Sequence, residues 1–339
     1  MATTIHDVAN YLGVSASTVS RCINDHPDIS DEMKQRVRDA MERLNYVPSS
    51  AARNVSRKST RTIGLTIPDI EDPYFAKSAS GVESVLLENK YSLVYGSLAR
   101  SGSRMLEFIR NAREMRLDGV IITPDSWSDE LLELIARSEI PTIALRRRPP
   151  ASSGIPYVDA DYYAGSEIMV DHLFRSGHRK IGHIVLNTSI GLERKRGYED
   201  AMRTRGLEPF CVTVDLPANR EIDGEKNGYA AMKRMLEQYP EVTAVYASSD
   251  PMAIGAMEYL MEREIRVPES ISVCGTGDND LSCLGWFQLT TVAFDRYELG
   301  RRTAQMLLKM ISGEVKNPDP VLLETHLIVR GSVKSIKKL

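Results

Sequence analysis

Over residues 1–60 the apolar positions recur at helical spacing. Ile5, Val8, Ala9 and Leu12 share one face of a short helix. Thr4 stands before it as an N-cap, Asp7 lies near its positive end and Gly13 stops it. Ser15 caps a second helix, Ala16 to Ile23, with Val19, Cys22 and Ile23 inward. A third starts after Ser30, with Met33, Val37, Ala40, Met41 and Leu44 as its stripe. From residue 62 the pattern changes. Short apolar runs are expected as strands at Thr62–Ile67, Tyr91–Tyr95, Gly119–Ile122, Pro141–Leu145, Lys180–Leu186, Ala244–Ala247 and Ile271–Cys274. They alternate with helices over Tyr74–Asn89, Met105–Met115, Tyr163–Ser176, Glu193–Arg205 and Asp250–Arg263. Such alternation predicts parallel α/β sheets buried on both faces, with ligands at the carboxyl ends of the strands.

Composition narrows this picture. A chain of 339 residues needs more than one core. No apolar run approaches the roughly 20 residues that span a bilayer. Met1 to Asp7 lacks the basic and apolar regions of a secretory signal, so a cytoplasmic protein without a membrane role is expected. Cys22, Cys211, Cys274 and Cys283 form no Cys-x-x-Cys pair, so no metal and no cofactor are expected. The net charge of −3 says nothing of nucleic acid, but its distribution does. Between Arg43 and Pro68 there is no acid, while Arg53, Arg57, Lys58 and Arg61 are present. Such a stretch fits phosphate contact or a solvated linker.

Two short helices across a tight Gly turn make a helix-turn-helix, whose second helix must be slim and polar outside to enter a major groove. An unliganded three-helix bundle has the same periodicity. The specific residues are Thr4-Ile5-His6-Asp7-Val8-Ala9, Gly13-Val14-Ser15, Thr18-Val19-Ser20-Arg21 and Asn24. With Asn45-Tyr46-Val47-Pro48 and Ala51-Ala52-Arg53, they closely resemble the head and hinge of the LacI/GalR family of bacterial regulators. The resemblance runs to about residue 331. It implies an all-α helix-turn-helix head on an α/β two-lobed, periplasmic-binding-protein-like body. The expected domains are a head over 1–47, a hinge over 48–61 and an effector-binding and dimerisation body over 62–339. Lobe 1 is expected over 62–160 and 289–319, and lobe 2 over 161–288 and 322–330.

The resemblance also implies roles. Ala16, Ser17 and Arg21 match base-reading positions. Thr18, Ser20 and Asn24 match positions near the backbone or base edges, and Thr4 and Ser15 complete the head's candidate contacts. Ala52, Arg53 and Val55 match a hinge helix that enters the minor groove; Val55 stands where many members carry a Leu wedge. For the effector the candidates are Asp72, Tyr74, Phe75, Asp161, Arg194, Tyr246, Asp250, Asp278 and Phe294. Each has a plainer alternative: a core role for Phe75 and Tyr246, a helix cap for Asp72 and Asp250, a solvated basic face for Arg194 beside Lys195 and Arg196. Gly277 stands where many members carry an acid, Phe294 where many carry Gln, and Trp286-Phe287-Gln288 replaces a proline pair. The expected effector is therefore less hydroxylated than a simple hexose, or carries an apolar group.

The function this implies is a ligand-responsive regulator, most often a repressor of carbohydrate-related genes. It would bind a palindromic operator as a homodimer, without a heptad tail for tetramers. No nucleophile elbow, P-loop or zinc signature argues for an enzyme. The alternative is a sugar-binding protein with no DNA role.

Overall fold

The computed structural model describes residues 3–46, 59–70, 73–99, 101–124, 126–215 and 224–336. The chain divides into two compact units, residues 1–60 and 61–339.

In the head, α1 (Ile5–Leu12), α2 (Ala16–Ile23) and α3 (Asp31–Arg43) close on a small core of Val8, Ala9, Val19, Cys22, Val37 and Ala40. Local chemistry sets each boundary. The Thr4 amide and hydroxyl both donate to one Asp7 carboxylate oxygen at 2.7 Å. That satisfies an orphan amide at the start of α1 and places an acid in the first turn. Gly13 ends α1 at φ +67°, a left-handed conformation that carries no Cβ penalty only in glycine. Ser15 and Ser30 then cap α2 and α3 by accepting from Thr18 N and Met33 N.

The body contains two six-stranded sheets. The first runs β11-β5-β4-β3-β1-β2 and the second β12-β10-β9-β8-β6-β7. Their strands are β1 (Thr62–Ile67), β2 (Ser92–Ser97), β3 (Gly119–Ile122), β4 (Thr142–Leu145), β5 (Tyr157–Ala160), β6 (Ile181–Leu186), β7 (Phe210–Val214), β8 (Ala244–Ala247), β9 (Ser272–Thr276), β10 (Thr290–Ala293), β11 (Val321–Leu323) and β12 (His326–Ile328). All neighbours are parallel except β12, which runs antiparallel to β10. In each sheet the first five strands by sequence follow the doubly wound order 2-1-3-4-5. Each lobe therefore has a switch point, between β1 and β3 and between β6 and β8, where ligands bind at strand ends.

The covering helices are α4 (Pro73–Glu88), α5 (Gly102–Glu114), α6 (Asp129–Ser138), α7 (Tyr162–Arg175), α8 (Ser189–Thr204), α9 (Gly224–Gln238), α10 (Asp250–Glu262) and α11 (Arg296–Ile311). Two helix crossings are held close by glycine. A Cβ at Gly300 of α11 would come within 1.9 Å of the Ser78 carbonyl on α4, and one at Gly228 of α9 within 2.0 Å of Met252 O on α10.

The lobe boundaries differ from the expected ones. Residues 290–293 form β10, in the second sheet rather than lobe 1. The terminal segment over 322–330, expected in lobe 2, is divided: β11 pairs with β5 in lobe 1, and β12 pairs with β10 in lobe 2. A chain that leaves one sheet and enters the other within two residues carries one continuous apolar pattern, which conceals the break.

The lobes exchange chain three times: at residue 161, at residues 294–295, and at residues 324–325. Two of these crossovers are tied together. The Asp161 amide donates to Leu323 O at 3.0 Å, and the Thr325 hydroxyl donates to Asp161 O at 3.3 Å.

Candidate DNA-reading surface and effector cleft

The outer face of α2 is small and polar. Ser15, Ser17 and Arg21 are exposed, and Ala16, Thr18, Ser20 and Asn24 are half-buried beside them. The Ser15 hydroxyl bonds to those of Ser17 and Thr18 at 2.7 and 2.8 Å, so the start of the helix is pre-ordered. Asn24 turns back and donates to Ser20 O at 2.9 Å. Arg21 is therefore the long cationic side chain this face presents. Thr4 is committed to its capping bonds with Asp7 but stays exposed. Ala52, Arg53 and Val55 lie outside the described residues.

Between the lobes the candidate residues separate into two groups. The first gathers around Tyr162, at the start of α7. The Arg194 guanidinium, from α8, lies over the Tyr162 ring at 4.6 Å, and the Phe294 ring meets it edge-on at 5.8 Å. Arg146, just after β4, donates from Nε to the Tyr162 hydroxyl at 3.3 Å, and its guanidinium lies 5.4 Å from the Phe75 ring. Phe75, Phe294 and Tyr162 also belong to the lobe 1 core. One small cluster thus unites two of the three crossovers, at residues 161 and 294–295, with the loop after β4 and the first turns of α8. Arg194 is 8% exposed, donates to Ser248 O at 2.6 Å at the β6/β8 switch point, and leaves its buried Nε without a hydrogen-bond partner among the described residues.

Arg148, two residues further on, is differently placed. It bonds Glu193 of α8 at 2.8 Å and pairs with Asp159 at 3.3 Å, though its Nε–H is not aligned on that carboxylate as a hydrogen bond. The Glu193 contact spans the two lobes, as do Lys77–Asp280 at 3.2 Å and Arg296 to Asp278 O at 3.1 Å. Burial pushes the Asp159 carboxyl up to about 6, against the pull of the Ala160 amide, Arg148, Arg146 and Tyr162.

The second group is engaged with the protein itself. Asp250 is fully buried and accepts from Thr291 Oγ1 at 2.6 Å, Ser282 Oγ at 2.7 Å and Asn279 N at 2.8 Å. It binds the start of α10 to β10 and to the 3-10 turn at Asp280–Cys283. Its carboxylate is thus engaged by the protein's own donors. Asp250 is not the cap of α10, because Ser249 takes that place by accepting from Met252 N. Tyr246 is engaged in the same way. It is fully buried, its hydroxyl reaches Ser166 and Thr276, and its ring stacks on His183 at 4.6 Å. Asp161 caps α7 by accepting from Ala164 N at 3.0 Å and remains half-buried. Asp278 receives Arg330 at 2.6 Å. Asp72 and the Tyr74 side chain lie outside the described residues. Gly277 sits at φ +131°, so the acid that many family members carry there has no relaxed backbone to occupy in this loop.

Sequence reasoning missed Arg146, Arg148, Asp159, Tyr162 and Glu193. Two signals were present. Arg146-Arg147-Arg148 directly follows a strand's carboxyl end, and Asp159 sits in an otherwise apolar strand. Only a partner explains a carboxylate there.

A helix-turn-helix head joined to a two-lobed body with a cleft at both switch points defines a DNA-binding transcription regulator with a ligand-binding domain. Residues 4–49 match the family described as bacterial regulatory proteins, lacI family, and residues 170–333 match a periplasmic binding protein-like domain. The chain is 31% identical to the transcriptional regulator RegA of Clostridium saccharobutylicum, over 98% of this chain and 99% of that one. It is 29% identical to catabolite control protein A of Priestia megaterium, over 98% and 100%. Among solved structures it resembles the Lac repressor dimer bound to operator and the anti-inducer ONPF, with a TM-score of 0.87 and 25% identity over 98% of this chain and 100% of that one. It also resembles the CelR–cellobiose complex, with a TM-score of 0.73 and 29% identity over 97% and 99%. The chain belongs to the LacI family of bacterial regulators.

Proposed function

We propose that the protein is a ligand-responsive repressor of carbohydrate-related genes, working in the cytoplasm. It binds a palindromic operator as a homodimer, and a small molecule in the cleft sets its DNA affinity. The observation that carries this reading is the pairing of two unlike surfaces on one chain. The face of α2 offers Ser15, Ser17 and Arg21 outward, and the body holds Arg194 against Tyr162 where the lobes meet. One head reads only a few base pairs, too few for specificity, so a second copy is required. Leu87 on α4 and Tyr95 on the edge strand β2 are exposed apolar groups that suit a dimer surface on lobe 1. The CelR structure carries cellobiose and the Lac repressor structure carries operator; both support the reading by analogy.

The test is selection of bound duplexes from a random pool by full-length protein, followed by gel shift. Recovery of an inverted repeat supports the proposal, and a pool with no shared sequence sinks it. With that repeat in hand, Arg21→Ala should weaken binding about 10- to 100-fold and relax preference at one base pair per half-site. Direct readout by Ala16 and Ser17 is slight, so most of the remaining specificity falls to DNA shape.

A further inference from the structure

We propose that Arg148 is a two-position latch between the lobes: in the closed cleft it holds Glu193 of lobe 2, on opening it swings back to Asp159 of its own lobe, and a proton taken up by Asp159 favours closure. The proposal concerns the two lobes alone and stands whether or not the head binds an operator.

The argument begins with the acid. Asp159 is 1% exposed on β5, between Val158 and Ala160 of the lobe 1 core. A carboxylate in such a place needs aligned donors and a cation. The Ala160 amide donates to it at 2.8 Å, but the cation beside it is turned elsewhere. Arg148 keeps its Nε 3.3 Å from Asp159 Oδ2, yet that N–H makes no hydrogen bond. Its Nη1 donates instead to Glu193 Oε2 at 2.8 Å, and its Nη2 to Ala160 O at 3.3 Å. The fork is thus drawn off the buried acid of its own lobe toward an acid of the other. A guanidinium is planar and rigid, so aligning it on one of these carboxylates takes it off the other.

The surroundings set the direction of the proton's effect. Arg146 and Arg148, from the loop after β4, and Tyr162 of α7 face Asp159. Tyr157, on the same strand, lies near Arg148. Glu193 of α8 comes in behind Arg148, with Arg196 on its other oxygen. The neighbouring strand β11, Val321–Leu323, brings no charged side chain. With the lobes in contact, burial holds the Asp159 carboxyl up at about 6. Opening removes the negative charge of Glu193 and frees the fork, which lowers the carboxyl toward its ordinary range. The closed arrangement therefore binds the proton more tightly, and closure gains as pH falls through about 6. By linkage, the ratio of closed to open should rise about 10-fold from pH 7 to pH 5.

The experiment uses the full chain, spin-labelled at the exposed Cys283 of lobe 2 and at Glu130→Cys on lobe 1. The distance between the labels is measured by electron spin resonance at pH 7 and pH 5. In the parent the long-distance fraction should shrink on acidification. Asp159→Asn imitates the protonated acid and should keep that fraction low at both pH values. Arg148→Met and Glu193→Gln should each raise it about 3-fold or more at pH 7 and remove the pH response. Lys77→Met breaks a different pair between the lobes and should keep the response. Carboxyl-carbon NMR on aspartate-labelled protein gives a second readout. Glu193→Gln should lower the proton affinity of Asp159 about 10-fold or more, because the fork returns to it. A parent whose label distance ignores pH, a pH response that survives in Asp159→Asn, no gain of the long-distance fraction in Arg148→Met and Glu193→Gln, or an unchanged Asp159 titration in Glu193→Gln each overturns the proposal.

Discussion

The two sides of the cleft are made from similar residue types used in opposite ways. On the Asp250 side the polar groups are turned on the protein: three donors on Asp250, Arg330 on Asp278. On the Tyr162 side a buried Arg194 keeps a hydrogen-bonding group unmatched among the described residues. Burial alone does not mark a functional charge; Asp250 is the more deeply buried of the two. What distinguishes them is whether the protein itself completes the hydrogen bonding. A completed network fixes geometry, and an incomplete one is where a ligand gains most.

Substitutions can break or sharpen that contrast. The largest effect is expected at Asp250. Asp250→Ala would strand the Thr291 and Ser282 hydroxyls and the Asn279 amide, and should cost about 3–5 kcal/mol in urea unfolding. If it instead removes ligand binding with little loss of stability, Asp250 belongs with the cleft and the contrast fails.

Next is acid response, which separates the lobes. Burial holds His183 of lobe 2 down at about 3. Below pH 6.5 the unfolded chain takes a proton there and the folded chain does not, so this group lowers stability as pH falls, by about 2 kcal/mol at pH 5. Asp159 of lobe 1 works oppositely. Its carboxyl, raised to about 6, is protonated in the folded state first, which relieves roughly 1 kcal/mol between pH 7 and 5. Urea midpoints at both pH values should therefore drop more steeply on acidification in Asp159→Asn than in the parent, and less steeply in His183→Phe. The reverse order would mean that one group is not buried in solution as it is here.

A smaller effect is expected at Arg194. Arg194→Met loses a bond to Ser248 O but relieves an unpaired buried charge, so stability should stay within about 1 kcal/mol of the parent. A loss of several kcal/mol would place Arg194 with the structural group. The smallest change is Tyr162→Phe. It removes one acceptor of Arg146 and should cost under about 1 kcal/mol in the same assay.

Periodicity made the head readable to within a residue, because each helix there begins on its own cap and ends on a local signal. Seven of the parallel strands were readable as apolar runs, and Ala244–Ala247 appears as expected, but β5, β7 and β10 were not among them. Nor was the start of α8 readable. It begins at Ser189, capped by Thr188, four residues before the expected Glu193, since Ser189-Ile190-Gly191 gives no helical stripe. Arg194 and Phe294 were singled out as candidates through the family resemblance. Tyr162 and Arg146 were not, because what makes them part of the cleft is contact across the lobes. The engagement of Asp250 was hidden for the same reason: its three donors lie 29 to 41 residues away along the chain.

The three crossovers between lobes are one or two residues long, and two are bonded to each other. A joint of this kind has few degrees of freedom, much as a door on fixed pins has one. Whatever closes the cleft, the lobes can answer with only a narrow set of movements. The mechanical output is then set by the joint, and side chains such as Arg146, Arg194 and Phe294 stand beside it. Evolution can exchange the lock without rehanging the door.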